Sequence, residues 1–206
     1  MLASSDDARE LWLAERRTRT LTQFDTRIPA LYREPVELPL PAYAWALGTG
    51  SAPASLFLTG RVGVGKTHTA WHAARQWLAH RADGDGPGVP VIQTWRSTAF
   101  FDALRPDAGN PRDVTKAAQE CDLLYLDDLA AARVSPSGWT QERLYELFDE
   151  RYVNQRPVLI TCDVLPGQLS PVVGERVASR LAEMCAGGVH LMRGPDRRKQ
   201  TEEAGE

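Results

Sequence analysis

The feature that most constrains this chain is the segment GRVGVGKT at residues 60–67, which matches the pattern G-x-x-x-x-G-K-[ST] in full. It follows the apolar run SLFLTG and opens a segment of helical composition, the context that separates this pattern from an ordinary glycine-rich turn. Glycines let the backbone curl so that successive N–H groups face a bound phosphate, and the helix N-terminus adds partial positive charge. The segment therefore predicts a phosphate-binding loop, called the P-loop below.

Within this loop each residue type has an expected task. Lys66 is expected to reach the β- and γ-phosphates of a nucleotide, and the Thr67 hydroxyl is expected to ligate Mg²⁺. His68 and His72 follow at helical spacing, but no Glu lies between them and no third ligand is evident, so a surface or packing pair is favoured over a metal site. The predicted nucleotide-binding residues are Gly60, Arg61, Val62, Gly63, Val64, Gly65, Lys66, Thr67 and His68.

Beyond residue 55, short apolar runs alternate with segments of helical composition. The predicted strands are SLFLTG, VPVIQTW, DLLYLDD, PVLITCD and VHLMR. The predicted helices cover residues 66–81, a stretch from Ser97, residues 112–120, residues 137–155 and the segment GERVASRLAE. Such alternation predicts an α/β fold with a parallel sheet covered by helices on both faces. Together with the P-loop, it indicates a P-loop NTPase.

The chain of 206 residues divides into four predicted regions. These are an N-terminal helical arm (1–26), a Pro-rich connector (27–54), an ATPase core (55–193) and a flexible polar tail (194–206). No apolar stretch approaches the ~20 residues that cross a bilayer, so no membrane association is expected. The acidic start MLASSDDARE argues against a secretory signal, and we expect a cytoplasmic protein.

The net charge of −3 gives no global attraction to nucleic acid. Any such binding requires a local patch, and Arg16, Arg17 and Arg19, with Arg27 nearby, form the best candidate. A solvated helix face balanced by acidic residues of the same arm is an equally good interpretation, and both stay open.

A second motif, DLLYLDDL, places two aspartates at the end of a buried strand. We expect Asp127 to hold Mg²⁺, through water, and Asp128 to orient or deprotonate an attacking water. The strand VPVIQTW intervenes between this motif and the P-loop strand, an arrangement that suits the hydrolytic branch of P-loop proteins. A guanine-specificity motif of the type N/T-K-x-D is missing from the sequence, so ATP is favoured over GTP.

Two later segments carry further candidates. If PVLITCD pairs beside the acidic strand, Thr161 or Asp163 would lie near the γ-phosphate and could sense it. In GERVASRLAE, Arg176 and Arg180 are four residues apart and share one helix face. Taken alone, these arginines fit a solvated face or local ion pairs with Glu175 and Glu183.

The motifs GVGKTH, LLYLDDL, RPVLITCD and GERVASRL, with the connector IPALYRE, resemble AAA+ ATPases of the DnaC/IstB type over roughly residues 27–198. That family comprises bacterial helicase loaders and transposition helpers. The resemblance implies a core without a helical lid, and it places Asp163 where the family commonly has a sensor Asn. An ionised Asp accepts hydrogen bonds but donates none, so slow hydrolysis is expected unless Thr161 serves instead. It also implies that Arg180 completes a neighbouring subunit's site and that Arg176 holds the interface.

The function implied by the resemblance is an ATP-hydrolysing homo-oligomeric switch that acts on a DNA-bound partner. That partner would be a replicative helicase or a transposase, with single-stranded DNA as a further candidate ligand. Two functions of other classes stay open. One is a small-molecule kinase, although its candidate lid, residues 105–113, contains only Arg105 and Arg112. The other is a module that binds ATP with negligible turnover, which Asp163 favours.

Overall fold

The computed structural model describes residues 5–49, 52–82, 88–105, 107–131 and 139–197. The strands are β1 (Leu56–Thr59), β2 (Ile92–Arg96), β3 (Leu123–Asp127), β4 (Val158–Cys162) and β5 (Val189–Leu191). The helices are α1 (Ser5–Arg27), α2 (Leu40–Leu47), α3 (Lys66–Ala82), α4 (Ser97–Ala103), α5 (Pro111–Glu120), α6 (Trp139–Val153), α7 (Ser170–Val173) and α8 (Glu175–Met184). Short 3₁₀ turns cover Ala30–Tyr32, Leu129–Ala131 and Pro166–Gln168.

The strands form one parallel sheet in the order β2-β3-β4-β1-β5. Every residue of β1 and β4 is buried, which is what a parallel strand covered on both faces requires of its sequence. The runs SLFLTG and PVLITCD meet this requirement because they are apolar nearly throughout. All five predicted strands are present, and the predicted fold class is confirmed.

Helices cover both faces of the sheet, as predicted. On one face, α1, α2 and α3 enclose a cluster that includes Phe24, Trp45 and Trp71. On the other, α4, α5, α6 and α8 enclose a cluster that includes Phe148 and Leu181. The parallel strands send their carboxyl ends to a common edge, where the P-loop, the acidic strand and the predicted sensor segment meet.

The strand between β1 and β3 in space is β4, whereas β2, which intervenes in the sequence, lies at the sheet edge. Leu159 of β4 is in register with Leu56 on one side and Tyr125 on the other. PVLITCD therefore pairs beside the acidic strand, which is the arrangement that the sensor prediction required. This order places Thr161 and Asp163 between the P-loop and the two aspartates.

The N-terminal helix α1 packs on α3, the helix that follows the P-loop. Phe24 and Ile28 are buried in the α1–α3 cluster. Arg75 of α3 holds Asp25 of α1 in an ion pair at 2.6 Å, and Arg27 donates to the carbonyl of Ile92 in β2 at 3.0 Å. The C-terminal half of the predicted arm is thus part of the packed core.

At the other end, Asp196 and Arg197 of the predicted tail lie against the P-loop. The backbone N–H of Arg197 donates to the carbonyl of Gly63 at 3.0 Å. Residues 198–206 lie outside the described part of the chain. Among the described helices, none combines the length and apolar character needed to cross a membrane.

Candidate nucleotide site

A cavity of about 640 Å³ opens at the carboxyl edge of the sheet. The P-loop closes one side, and the ends of β2, β3 and β4 close the other. Of the predicted site residues, those that line it are Val62, Gly63, Gly65, Lys66, Thr67, His68, Asp127, Asp128, Thr161 and Asp163. Leu31, Tyr32, Arg96, Ser97, Thr98, Ala131 and Arg197 complete the lining.

The P-loop has the curled backbone that its glycines predict. Gly60, Gly63 and Gly65 all have positive φ, at 143°, 85° and 95°. A Cβ at Gly60 would lie only 2.4 Å from the carbonyl oxygen of Met192, so only glycine fits there. Lys66 Nζ donates to the carbonyls of Gly60 (2.7 Å) and Arg61 (3.1 Å) and so lies across the loop. Val64 anchors the loop in the core, with 4% of its surface exposed.

Asp127 accepts hydrogen bonds from hydroxyl groups of three elements. Its Oδ1 accepts from Thr67 Oγ1 at 2.9 Å, from Thr161 Oγ1 at 2.7 Å and from Tyr125 Oη at 3.0 Å. The Thr67 hydroxyl and a carboxylate are therefore held together at the mouth of the P-loop. Oxygen donors of this kind are the ligands that Mg²⁺ prefers, so the residues fit the predicted ion.

Asp128 has φ of 57°, a conformation that costs a non-glycine residue on the order of 1 kcal/mol. Two hydrogen bonds hold it there. Its N–H donates to Thr161 Oγ1 at 2.8 Å, and its carbonyl accepts from Ser97 Oγ at 2.6 Å. Asp128 lines the cavity beside Asp127.

The surroundings of Asp128 raise the pKa of its carboxyl group. Partial burial contributes most, the negative charges of Asp127 and Asp163 add to the rise, and Lys66 opposes it. A raised pKa makes the carboxylate a better proton acceptor once it is ionised. The same shift means that Asp128 loses its charge at a higher pH than an ordinary aspartate.

The structure distinguishes the two sensor candidates. Thr161 is buried, and its hydroxyl is already engaged by both Asp127 and Asp128, so it positions the two acidic residues. Asp163 is exposed to the cavity, and its charge acts on Asp128. Sequence reasoning overlooked Tyr125 and Ser97. Tyr125 was detectable, since a residue two positions before Asp127 projects from the same face of the strand.

His68 and His72, for which the sequence favours a surface or packing pair, both contact the connector. His68 Nε2 lies 2.6 Å from the carbonyl oxygen of Glu34, and His72 Nε2 lies 2.9 Å from that of Tyr32. Both rings therefore tie the connector to the P-loop helix. Burial, the largest influence, lowers the pKa of His72.

Arg176 and Arg180 do not line this cavity. They lie where α8 packs on α6. Arg180 Nε donates to Asp149 Oδ1 at 3.0 Å, and its guanidinium lies 4.3 Å from the ring centre of Tyr152. The guanidinium of Arg176 lies 5.6 Å from the ring centre of Tyr145. The local partner of Arg180 is thus Asp149, rather than the glutamates of its own helix.

The family model of the bacterial DnaA ATPase domain matches residues 42–187. The chromosomal replication initiator protein DnaA of Lactobacillus helveticus is 30% identical over 140 residues, which cover 66% of this chain and 29% of that protein. This chain therefore spans less than a third of that relative.

Two solved structures share the fold. DnaI has a TM-score of 0.60 at 18% identity, covering 76% of this chain and 81% of that one. A replication initiator DnaA bound to AMPPCP and single-stranded DNA has a TM-score of 0.58 at 20% identity, covering 79% and 49%. The AAA+ resemblance predicted from the motifs is confirmed by these matches.

Proposed function

This chain belongs to the bacterial DnaA ATPase-domain family, and we propose that it is an ATP-binding, ATP-hydrolysing oligomeric switch that loads or remodels a DNA-bound partner. One observation carries the proposal. The P-loop threonine and the strand-end aspartate are joined at 2.9 Å, which assembles the phosphate and metal halves of a nucleotide site in one cavity.

Nucleotide binding is assigned to the residues predicted for it. The backbone of residues 60–68 and Lys66 would hold the phosphates, and Thr67 with Asp127 would hold Mg²⁺, which neutralises phosphate charge. Tyr32, the 78% exposed Leu31 and the 60% exposed Val62 offer an apolar surface at the cavity entrance. A purine base fits such a surface, because aromatic and apolar contacts favour its flat face.

Hydrolysis is assigned to Asp128. The attacking water forms a bond to the γ-phosphorus and gives up its proton to this carboxylate. The bond between the γ-phosphorus and the bridging oxygen breaks, and its electron pair leaves with ADP. Asp163, with its negative charge beside the water, is proposed to slow this step, since the carboxylate donates no hydrogen bond to the developing phosphate.

The second half of the site is proposed to come from a neighbouring subunit. Arg180 would act as the arginine finger and Arg176 would hold the interface. Their position supports this, because neither lines the cavity of its own subunit and both are accessible on α8. On assembly, Arg180 would exchange Asp149 for the neighbour's γ-phosphate.

The partner is proposed to be a replicative helicase, with a transposase as the alternative that the same family resemblance implies. The proposed location is the cytoplasm. The solved DnaA with AMPPCP and single-stranded DNA supports a DNA ligand by likeness of fold. The N-terminal half of α1 is proposed as the contact surface, because Trp12 and Leu11 are more than half exposed there.

A second function, an ATP-binding module with negligible turnover, is favoured by one observation. Asp128 lies between two other negative charges, Asp127 and Asp163, and all three would face the triphosphate. This module would share nucleotide binding and assembly with the switch but would not release ADP.

Turnover of ATP measured with and without single-stranded DNA, alongside molar mass by light scattering, separates these functions. The switch predicts hydrolysis that changes with DNA and a mass that rises with ATP, both lost in Lys66→Ala. Binding and assembly without ADP release would establish the module. ADP release that depends on a small-molecule acceptor would establish a kinase, and absence of ATP binding would refute the proposal.

A further inference from the structure

Besides Lys66, two arginines line the cavity, and neither has a role in the hydrolysis proposed above. Three carboxylates line it, those of Asp127, Asp128 and Asp163, and three cations face them, Lys66, Arg96 and Arg197. Asp127 is satisfied by hydroxyl donors, which leaves Asp128 and Asp163 beside the space for the γ-phosphate. A triphosphate there would add further negative charge. Mg²⁺ held by Thr67 and Asp127 would offset part of this charge, and a further cation on the β3 side of the cavity would offset more of it.

Arg96 is placed on that side. It is the last residue of β2, and its Cα is in register with that of Asp127 on the neighbouring strand. Adjacent strands lie about 4.8 Å apart, a distance that an extended arginine side chain spans. Arg96 is exposed to the cavity. Lys66, in contrast, approaches from the P-loop on the opposite side.

The backbone of Arg96 is fixed by its neighbours. The buried Ser97 donates to the carbonyl of Asp128 at 2.6 Å, and Trp95 packs edge-on against Phe100 with ring centres 5.7 Å apart. The backbone next to Arg96 is thus linked to Asp128, the residue that is proposed to activate water.

Arg96 ends its strand beside the Tyr125–Asp127 pair. Thr94 of β2 is in register with Tyr125 of β3, and Arg96 is in register with Asp127. Tyr125 donates to Asp127 at 3.0 Å.

We propose that Arg96 is a catalytic residue acting in cis, whose guanidinium contacts the γ-phosphate held by its own subunit and offsets the charge of Asp163. It transfers no proton: as the β–γ bond breaks, it stabilises the charge on the γ-phosphate oxygens. This inference deepens the proposed function and rests on it. An arginine of this kind contributes roughly 10³–10⁵ in turnover, whether supplied in cis or in trans.

The first test compares ATP and ADP affinities. In Arg96→Ala we expect the Kd for ATP to rise about tenfold or more while the Kd for ADP stays the same, because ADP lacks the γ-phosphate. Arg96→Lys should recover part of the loss. Arg105→Ala is the matched control, since Arg105 is an exposed arginine outside the cavity whose ion pair is with Asp102. Equal losses for ATP and ADP, or none, would overturn the inference.

The second test separates cis from trans action by mixing subunits. Lys66→Ala disables one subunit's own site but leaves its arginines intact. Mixed with Arg180→Ala, it should restore hydrolysis, because an intact site then meets an intact finger. A mixture of Lys66→Ala and Arg96→Ala should restore no hydrolysis, because neither subunit has both Lys66 and Arg96 at its own nucleotide site. Restored hydrolysis in the second mixture would overturn the inference, as would a faster rate in Arg96→Ala alone.

The ratio of the Kd values for ATP and ADP still tests the position of Arg96 if the wild-type protein binds ATP without turnover. Loss of ATP discrimination in Arg96→Ala would still place its guanidinium on the γ-phosphate, although a catalytic role would then be refuted. If the wild-type chain binds neither ATP nor ADP, the proposed function itself fails.

Discussion

Asp163 acts on the site through Asp128, the carboxylate that is proposed to activate water. The pKa of Asp128 is raised by burial and by both neighbouring carboxylates. Because the ionised form is the one that accepts a proton, turnover should fall as the pH drops through this raised pKa. The acid limb of the rate profile is therefore expected above the ordinary range of an aspartate.

Replacing Asp163 by Asn removes one of those negative charges. In Asp163→Asn we expect the pKa of Asp128 to fall, the acid limb to move to lower pH and the rate at neutral pH to rise, since the amide can donate to the phosphate. The pH dependence of kcat measures both changes. Thr161→Val should instead lose activity without moving the limb downward, because Thr161 positions Asp127 and Asp128. An unchanged limb in Asp163→Asn would show that its charge does not reach Asp128.

Between elements, Arg151 makes a set of buried hydrogen bonds. This residue of α6 is fully buried. Its guanidinium donates to the carbonyls of Ala118 (2.7 Å), Cys121 (3.0 Å) and Pro157 (2.6 Å). It thus joins α6 to the end of α5 and to the entries of β3 and β4.

Arg151→Leu should lower the free energy of unfolding by about 3–5 kcal/mol, because it leaves three buried carbonyl groups without their charged donor. Chemical denaturation of the two proteins measures the difference. The exposed Arg105→Ala serves as the control and should change stability little, because surface ion pairs contribute little. A loss in Arg151→Leu no larger than in this control would contradict the assigned role.

At the scale of the whole molecule, the sequence predicted what local patterns encode. Glycine spacing gave the P-loop, and apolar runs gave the five strands and the helices between them. It did not give contacts between distant segments, such as Asp25 with Arg75 or Asp149 with Arg180, because their spacing in the chain carries no periodic signal. The central position of β4 likewise follows from strand pairing, which no single segment encodes.

ATP is proposed to join copies of this chain through Arg180. The most direct measurement is ATP hydrolysis and light-scattering mass for the wild type and Arg180→Ala, each with ATP and with ADP. We expect Arg180→Ala to bind ATP normally, but to lose roughly 10³-fold or more in turnover and to stay a monomer with ATP. Loss of the contacts with Asp149 and Tyr152 should lower its melting temperature only slightly, because partly exposed ion pairs contribute little. An Arg180→Ala monomer that hydrolyses ATP as fast as the wild type would contradict the claim.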